Sequence, residues 1–433
     1  MVKLPYGTSH FGTLRREGYY FVDRTGRVRQ LEALGEKHLI FLRPRRFGKS
    51  LWLSMLAHYY GQEHEAEFGR LFGGLSLGDA PTPLANRYLV LQFDFSQVDT
   101  RTPEAAYQSF FDNVRRGMDG FLGAYADQLG ALDILYILGA GNPTQMLKRL
   151  FGQWEFHRVQ AQIYLLIDEY DHFTNELISF DLSHFQAVVT RNGWVRTFYE
   201  TIKSATGQAI VDRIFMTGVS PVTLDSLTSG FNIATNLSLD PRFHDLMGFR
   251  AQEMEELMRA VGAAEAQLPA LMADLKRWYD GYCFSHEGEH KPLYNPGMAL
   301  YFAKEYQHRL DYPPKMLDTN IASDYGKIRR IFGIGGQEMA HFQLLRRLLS
   351  EGQIRTDITA QFSFERAFTQ QDFLSLIFYM GLLTIQGSDL GYPLLGIPNA
   401  VVEKLYFDYF REVIHGRGSP YTGTELAHVE EIT

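Results

Sequence analysis

Residues 38–55, HLIFLRPRRFGKSLWLSM, constrain the fold more than any other stretch. The apolar run at 38–42 reads as a short buried strand. It passes into Arg43-Pro44-Arg45-Arg46-Phe47-Gly48-Lys49-Ser50, and a helix is expected over residues 51–60. Strand, loop and helix in that order are the setting a phosphate-binding loop requires. A helix N-terminus offers unpaired N–H groups and the positive end of its dipole to an anion. Gly48 lets the backbone come close to phosphate, Lys49 reaches the β- and γ-phosphates, and the Ser50 hydroxyl suits Mg²⁺. The consensus loop opens with glycine, where this chain has Arg43. Taken alone, Gly-Lys-Ser also fits a surface turn that carries a lysine.

A partner strand lies more than a hundred residues later, in QIYLLIDEYD at 162–171. Ile163, Tyr164, Leu165, Leu166 and Ile167 form an unbroken apolar run, as in a strand covered on both faces. It ends in Asp168-Glu169, and the C-terminal ends of parallel strands are where open α/β sheets bind ligands. Asp168 is expected to hold Mg²⁺ through water, and Glu169 to orient or deprotonate an attacking water.

Further strands are expected at 18–22, 88–95 and 213–219. Helices are expected at 28–34, 105–122, 131–138, 143–156 and 184–204, with Asn142 and Ser183 as caps. The resulting β-α-β-α-β-α-β order predicts a three-layer α/β/α fold around a parallel sheet. Thr217 or Ser220, at the end of the 213–219 strand, can sense a γ-phosphate or bond its own loop. Tyr20 or Phe11 can stack on a purine or pack in the core. The chain divides into a core with its lead-in at 1–245, a helical lid at 246–310 and a mainly helical region at 311–433. Helices and a small hairpin near 383–395 make the last region compatible with a winged helix. Its tail from Gly416 is expected to be disordered.

Net charge is −8, so any nucleic-acid contact has to come from a local patch. The candidates are Arg15-Arg16, Arg43 to Arg46, and Lys327 with Arg329-Arg330. A single cysteine, Cys283, excludes an internal disulfide and suits a reducing cytoplasm. The longest apolar stretch, 373–385, is too short for a bilayer, so no membrane partner is expected. His286-Glu287-Gly288-Glu289-His290 spells a zinc-protease motif, but Gly288 and its loop-like flanks argue for an exposed loop. Gly333-Ile334-Gly335-Gly336 follows no strand and carries little weight as a dinucleotide signature.

The segments LPYGTSHFGTLRREGYYFVDRT, LRPRRFGKS, LLIDEYD, MTGVSPVT, WYDGYCFS, YNPGMAL and GIPN together resemble the AAA-ATPase-like domain family of prokaryotes. The resemblance spans about residues 4–400. In that family the loop reads R-P-R-R-F-G-K-[ST], so Arg43 is the family's own form. The family's D-K-T is present here as Asp23-Arg24-Thr25. The resemblance implies an ATP-binding domain of AAA-related type with a helical lid, and Glu169 as the catalyst of hydrolysis. Family members commonly continue into a PD-(D/E)XK nuclease-like domain. This chain stops soon after Ile397-Pro398-Asn399, has no nuclease core, and is expected to lack nuclease activity.

The expected activity is Mg²⁺-dependent hydrolysis of ATP to ADP and phosphate, coupled to conformational change. The catalytic set is Glu169, Lys49 and Arg46. The nucleotide set is Arg45, Arg46, Phe47, Gly48, Lys49, Ser50, Leu51, Asp168 and Thr217, and the metal set is Ser50 and Asp168. The three loop arginines act as an arginine finger, reach a partner, or form a solvated basic face. The alternatives are a nucleotide-gated switch with little turnover and a nucleic-acid-binding module. A nucleic-acid or protein partner and a homo-oligomer stay open.

Overall fold

The computed structural model describes residues 1–173, 193–222, 233–287, 291–318, 331–332, 334, 337–362 and 368–415. Five strands build one sheet: β1 (His38–Leu42), β2 (Leu89–Asp94), β3 (Ile163–Asp168), β4 (Val211–Gly218) and β5 (Thr235–Asn236). Their spatial order is β2-β3-β4-β1-β5, and each neighbouring pair is parallel. β1 and β3 are buried along nearly their whole length, as strands covered by helices on both faces must be. The α/β/α expectation holds. The sequence could not show that β4 threads between β1 and β3. In register, Leu42 faces Gly218 and Ile167 faces Met216. The tips of β1 and β3 therefore open at the same edge, about 10 Å apart at the usual strand spacing.

Helix formation follows local rules. The helix Pro103–Ala124 starts with Thr102 accepting from the Ala105 N–H at 3.1 Å and with proline at its first position. Phe110, Val114, Met118 and Phe121 recur at helical spacing and are buried on the sheet. Each such side chain contributes about 1.5–3 kcal/mol. Asn142 caps Pro143–Phe156 by accepting from Gln145 at 2.7 Å, as expected. The expected 131–138 helix is only Ile134–Leu138, because Asp133 caps it. Ser183 lies outside the described residues. The helix placed at 184–204 is described as Trp194–Gly207.

The lead-in differs from expectation. A seven-residue helix, α1 (Phe11–Glu17), was not foreseen, and residues 18–22 form no strand. Tyr20 N–H instead donates to Lys3 O at 2.8 Å. Asp23 accepts from Thr25 and from Ser76 N–H, which fixes the start of α2 (Arg27–Ala33) on the core. Arg24 crosses to the other side, pairing with Glu253 and donating to Gly248 O at 3.0 Å.

After the sheet come Ala251–Ala260, Leu268–Tyr279 and Pro296–Arg309. The C-terminal region runs helix Glu338–Glu351, β6 (Gln353–Arg355), helix Gln370–Tyr379, β7 (Thr384–Asp389), β8 (Tyr392–Gly396) and helix Ala400–His415. β6, β8 and β7 form a small antiparallel sheet, in that order across it. The hairpin is as expected, and it turns at Leu390-Gly391, both at positive φ. Residues 372–379 are all buried, and the helix that holds them has no lysine or arginine. A helix that reads a DNA groove needs an exposed face.

Other expected features resolve differently. Arg15 donates to Leu71 O and Gly73 O, and Arg16 pairs with Glu67. That pair serves the local fold. Lys327, Arg329 and Arg330, most of the Gly333–Gly336 run, residues 288–290 of the zinc-like motif and the tail from Gly416 lie outside the described residues. Among the described residues no helix is long and apolar enough to cross a membrane.

α1 packs on the helix after β1, α3 (Lys49–Tyr60), through a group of histidines. His58 stacks on His64 at 4.1 Å and meets His10 edge-on at 5.0 Å. Burial, against the pull of the Ser54 carbonyl, pushes His58 down to about 4, and His64, His10 and Arg16 add to the fall. The unfolded chain therefore binds a proton at His58 that the folded chain refuses. Stability should be complete above about 6.5 and be lost as pH falls toward about 4, by roughly 1–3 kcal/mol. Urea midpoints at pH 7.5 and pH 5 test this: the gap between them should narrow in His58→Gln.

Candidate functional site

The phosphate loop has the expected shape. Gly48 sits at φ 97°, a left-handed conformation that a side chain would strain, and α3 begins at Lys49. Lys49 is 4% exposed. Its ammonium lies 3.3 Å from Pro44 O and 3.2 Å from Glu169 Oε1. Ser50 hydrogen-bonds the Asp168 carboxylate. The tips of β1 and β3 are thus joined by one ion pair and one hydrogen bond.

Asp168 and Glu169 are driven apart in acidity. Burial first, then the adjacent Glu169 charge, raises Asp168 above the usual carboxylate range, against Ser50 and Lys49. Burial also opposes charge on Glu169, but Lys49, His172 and Arg45 outweigh it and hold Glu169 below its ordinary value. Glu169 also sits at φ 50°, which non-glycine residues adopt at a cost of about 1–3 kcal/mol. Its Oε2 is buried without a hydrogen bond. That oxygen faces His172 Nδ1 at 4.0 Å, and Glu169 is held in its ionised form.

Two residues after Glu169, Asp171 holds the strand tips together. It is fully buried and accepts from Val219 N–H at 3.0 Å, Ser220 N–H at 2.6 Å and Ser220 Oγ at 3.2 Å. Tyr170 adds a hydroxyl bond to Ser220 O at 2.7 Å. The fit is close: a Cβ at Gly218 would stand 2.0 Å from Asp171 Oδ1. Asp94, level with Asp168 on β2, brings a fourth carboxylate to this edge. Sequence reasoning assigned none of these three a role. The endings DEYD and FDF contained the signal, but their partners are far along the chain.

A cavity of about 350 Å³ opens beside the loop. Arg46, Phe47, Gly48, Lys49, Ser50 and Leu51 line it, with Glu169 at the same end. Asp168 stands behind Ser50. Tyr20, Val22, Met247 and Leu300 give its lining an apolar part. Phe11 is fully buried and belongs to the core. Tyr20 packs partly against the core and also lines the cavity. The start of the helix Pro296–Arg309 is bonded to the loop: Gly297 N–H donates to Arg46 O at 3.1 Å, and Asn295 Nδ2 to Arg45 O at 3.2 Å.

Two expected roles do not fit. Thr217 is fully buried and donates to Phe41 O at 2.8 Å. Its hydroxyl bonds β4 to β1, and Thr217 does not line the cavity beside the loop. Arg43 is 1% exposed and donates to Leu42 O, Ser238 O, Phe243 O and His244 O. The rings of Phe41 and Phe284 each lie 4.1 Å from its guanidinium. Burial lowers Arg43 to about 9. This cation stitches the loop base to the protein interior, so it is neither an arginine finger nor part of a solvated basic face.

Ser50 and Asp168 offer a hydroxyl and a carboxylate, the hard oxygen donors of a magnesium site that is completed by phosphate and water. Among the described residues no cluster of three histidine, cysteine or acidic groups could hold a metal.

The chain is 28% identical over 428 residues to an uncharacterized protein encoded in the vnfD 5' region of Azotobacter chroococcum, covering 95% of this chain and 71% of that one. Among solved structures it aligns with a Walker-type ATPase of Pyrococcus abyssi at 13% identity and a TM-score of 0.43, covering 90% of this chain and 97% of that one. A family model described as predicted AAA-ATPase matches residues 5–228, a span that holds the loop, both carboxylates and the Asp171 clasp. The chain belongs to the AAA-ATPase-like family.

Proposed function

We propose that the protein binds Mg²⁺·ATP in the cavity beside α3 and hydrolyses it to ADP and phosphate. One observation carries this reading: Lys49, Ser50 and Glu169 meet in the wall of a cavity of nucleotide size, and Asp168 hydrogen-bonds Ser50 beside them. The residue 46–50 backbone and the N-terminus of α3 cradle the phosphates. Lys49 neutralises their charge, and a phosphate competes with Glu169 for its ammonium. Ser50 and Asp168 would hold the magnesium, which supplies further charge neutralisation. Glu169 takes the proton of the attacking water. Arg46 lines the cavity and is the loop arginine placed to meet phosphate charge. The apolar part of the lining takes the base, with Tyr20 as its stacking ring. Phosphate is the product released, and the helix beginning at Pro296 moves with the loop it is bonded to.

Phosphate-release assays with and without DNA test the reading. Lys49→Ala should lower turnover by about 10²–10³-fold, the usual cost of removing one preorganised charge contact. It should also weaken Mg²⁺·ATP binding in calorimetry. Equal turnover in wild type and Lys49→Ala would assign any activity to another site.

A further inference from the structure

The C-terminal unit does more than follow the nucleotide domain in sequence. Its helix Gln370–Tyr379 stands where a winged helix presents a reading face, yet residues 372–379 are buried inside the molecule. What lies near them is the base of the phosphate loop. Gly381, just past that helix, is at φ 79°, and a Cβ there would stand 2.7 Å from Pro44 Cβ and 3.4 Å from Tyr282. Phe378 meets Phe284 at 6.3 Å. Phe284 in turn covers the Arg43 guanidinium at 4.1 Å. Phe47, the residue before Gly48, packs edge-on against both Tyr282 at 5.1 Å and Phe284 at 5.3 Å.

The segment that carries Tyr282 and Phe284 is bonded to the C-terminal sheet. Cys283 N–H donates to Thr384 Oγ1 at 2.7 Å, and Ile385 N–H donates to Cys283 O at 3.2 Å. Thr384 Oγ1 donates to Gly281 O at 2.8 Å. Asn399 donates to Asp280 O at 2.8 Å, and Gly281 lies so close to Pro398 O that a Cβ would stand 2.0 Å from it. A continuous packed path therefore runs from Gly48 through Phe47 and Arg43 to Tyr282 and Phe284, and on to β7 and the 370–379 helix. Neighbours packed this tightly shift together rather than independently.

We propose that the C-terminal unit braces the phosphate loop and reads its nucleotide state, with Arg43, Phe47, Tyr282 and Phe284 as the positioning residues between them. This rests on the Mg²⁺·ATP reading. Linkage is reciprocal: if nucleotide in the loop steadies the unit, then disturbing the unit's hold on the loop changes nucleotide affinity by the same factor. Leu390 and Tyr392, at the unit's hairpin turn, are exposed at 83% and 52%.

Two glycines of the unit provide a matched test. Gly381→Ala adds a methyl against Pro44. Gly391→Ala imposes similar backbone strain, at φ 83°, but meets nothing within 4 Å. In calorimetric titration with Mg²⁺·ATP, Gly381→Ala should weaken binding by about tenfold, while Gly391→Ala stays close to wild type. In wild type, Mg²⁺·ATP should slow amide exchange at 281–285 and 381–385 more than in the Pro143–Phe156 helix. Unchanged affinity in Gly381→Ala, or equal losses in both variants, would overturn the linkage. So would the absence of extra protection at those two segments, and that measurement decides the matter if Gly381→Ala does not fold. Wild type that fails to bind Mg²⁺·ATP would overturn the functional reading itself.

Discussion

Glu169→Gln is expected to slow ATP turnover by about 10²–10⁴-fold, the range associated with losing a positioned general base. The side chain keeps its size and loses its charge. Glu169 is held ionised chiefly by Lys49 against its burial, so wild type has a base ready at neutral pH. Glutamine cannot take the water's proton, and it also releases Lys49 from an ion pair at 3.2 Å. The freed ammonium is available to phosphate, so ATP affinity should hold or rise. Single-turnover phosphate release measured beside ATP affinity separates the two effects. A fall in turnover with ATP retained marks an enzyme. A wild type whose turnover is already negligible and does not change in Glu169→Gln marks a nucleotide-gated switch.

Asp171→Ala should cost about 3–4 kcal/mol of stability, because it strands the Val219 and Ser220 N–H groups in a fully buried site. Asp171→Asn keeps an oxygen acceptor and should cost less. The same carboxylate sets how the β3 tip lies against β4, two residues beyond Glu169. Turnover should therefore fall in Asp171→Ala even at temperatures where the variant is folded. Denaturant midpoints measure the first effect, and phosphate release well below the melting temperature measures the second. A variant with normal stability would show that the clasp between the strand tips contributes little.

The core of the fold was legible because its signals are local. An apolar run, a Gly-Lys-Ser loop and a second apolar run ending in Asp168-Glu169 each lie within a dozen residues, and β1, α3 and β3 form where they stand. The features missed depend on distant partners or on very short elements. Thr217 bonds a carbonyl 176 positions away, and Arg43 one 201 positions away. Nothing beside them in sequence says that these groups face inward. β5 has two residues and β6 three, too few for a period to register. α1 is seven residues long and is capped by a histidine, an uncommon residue for that position. The lead-in at 18–22 has strand composition but joins no sheet, and Tyr20, Phe21 and Val22 line the cavity instead. Arg43 is the clearest case of both limits. Its identity was evident as the family's departure from glycine, but its task emerged only once Phe41 and Phe284 were seen on either side of it.

The claim that a magnesium nucleotide is gripped between the tips of β1 and β3 is tested most directly by a crystal structure grown with Mn²⁺ and a non-hydrolysable ATP analogue. The manganese anomalous peak should lie beside Ser50 and Asp168, with the terminal phosphates against residues 46–50 and the base toward Tyr20. A nucleotide bound elsewhere, or a metal peak away from Ser50 and Asp168, would contradict it.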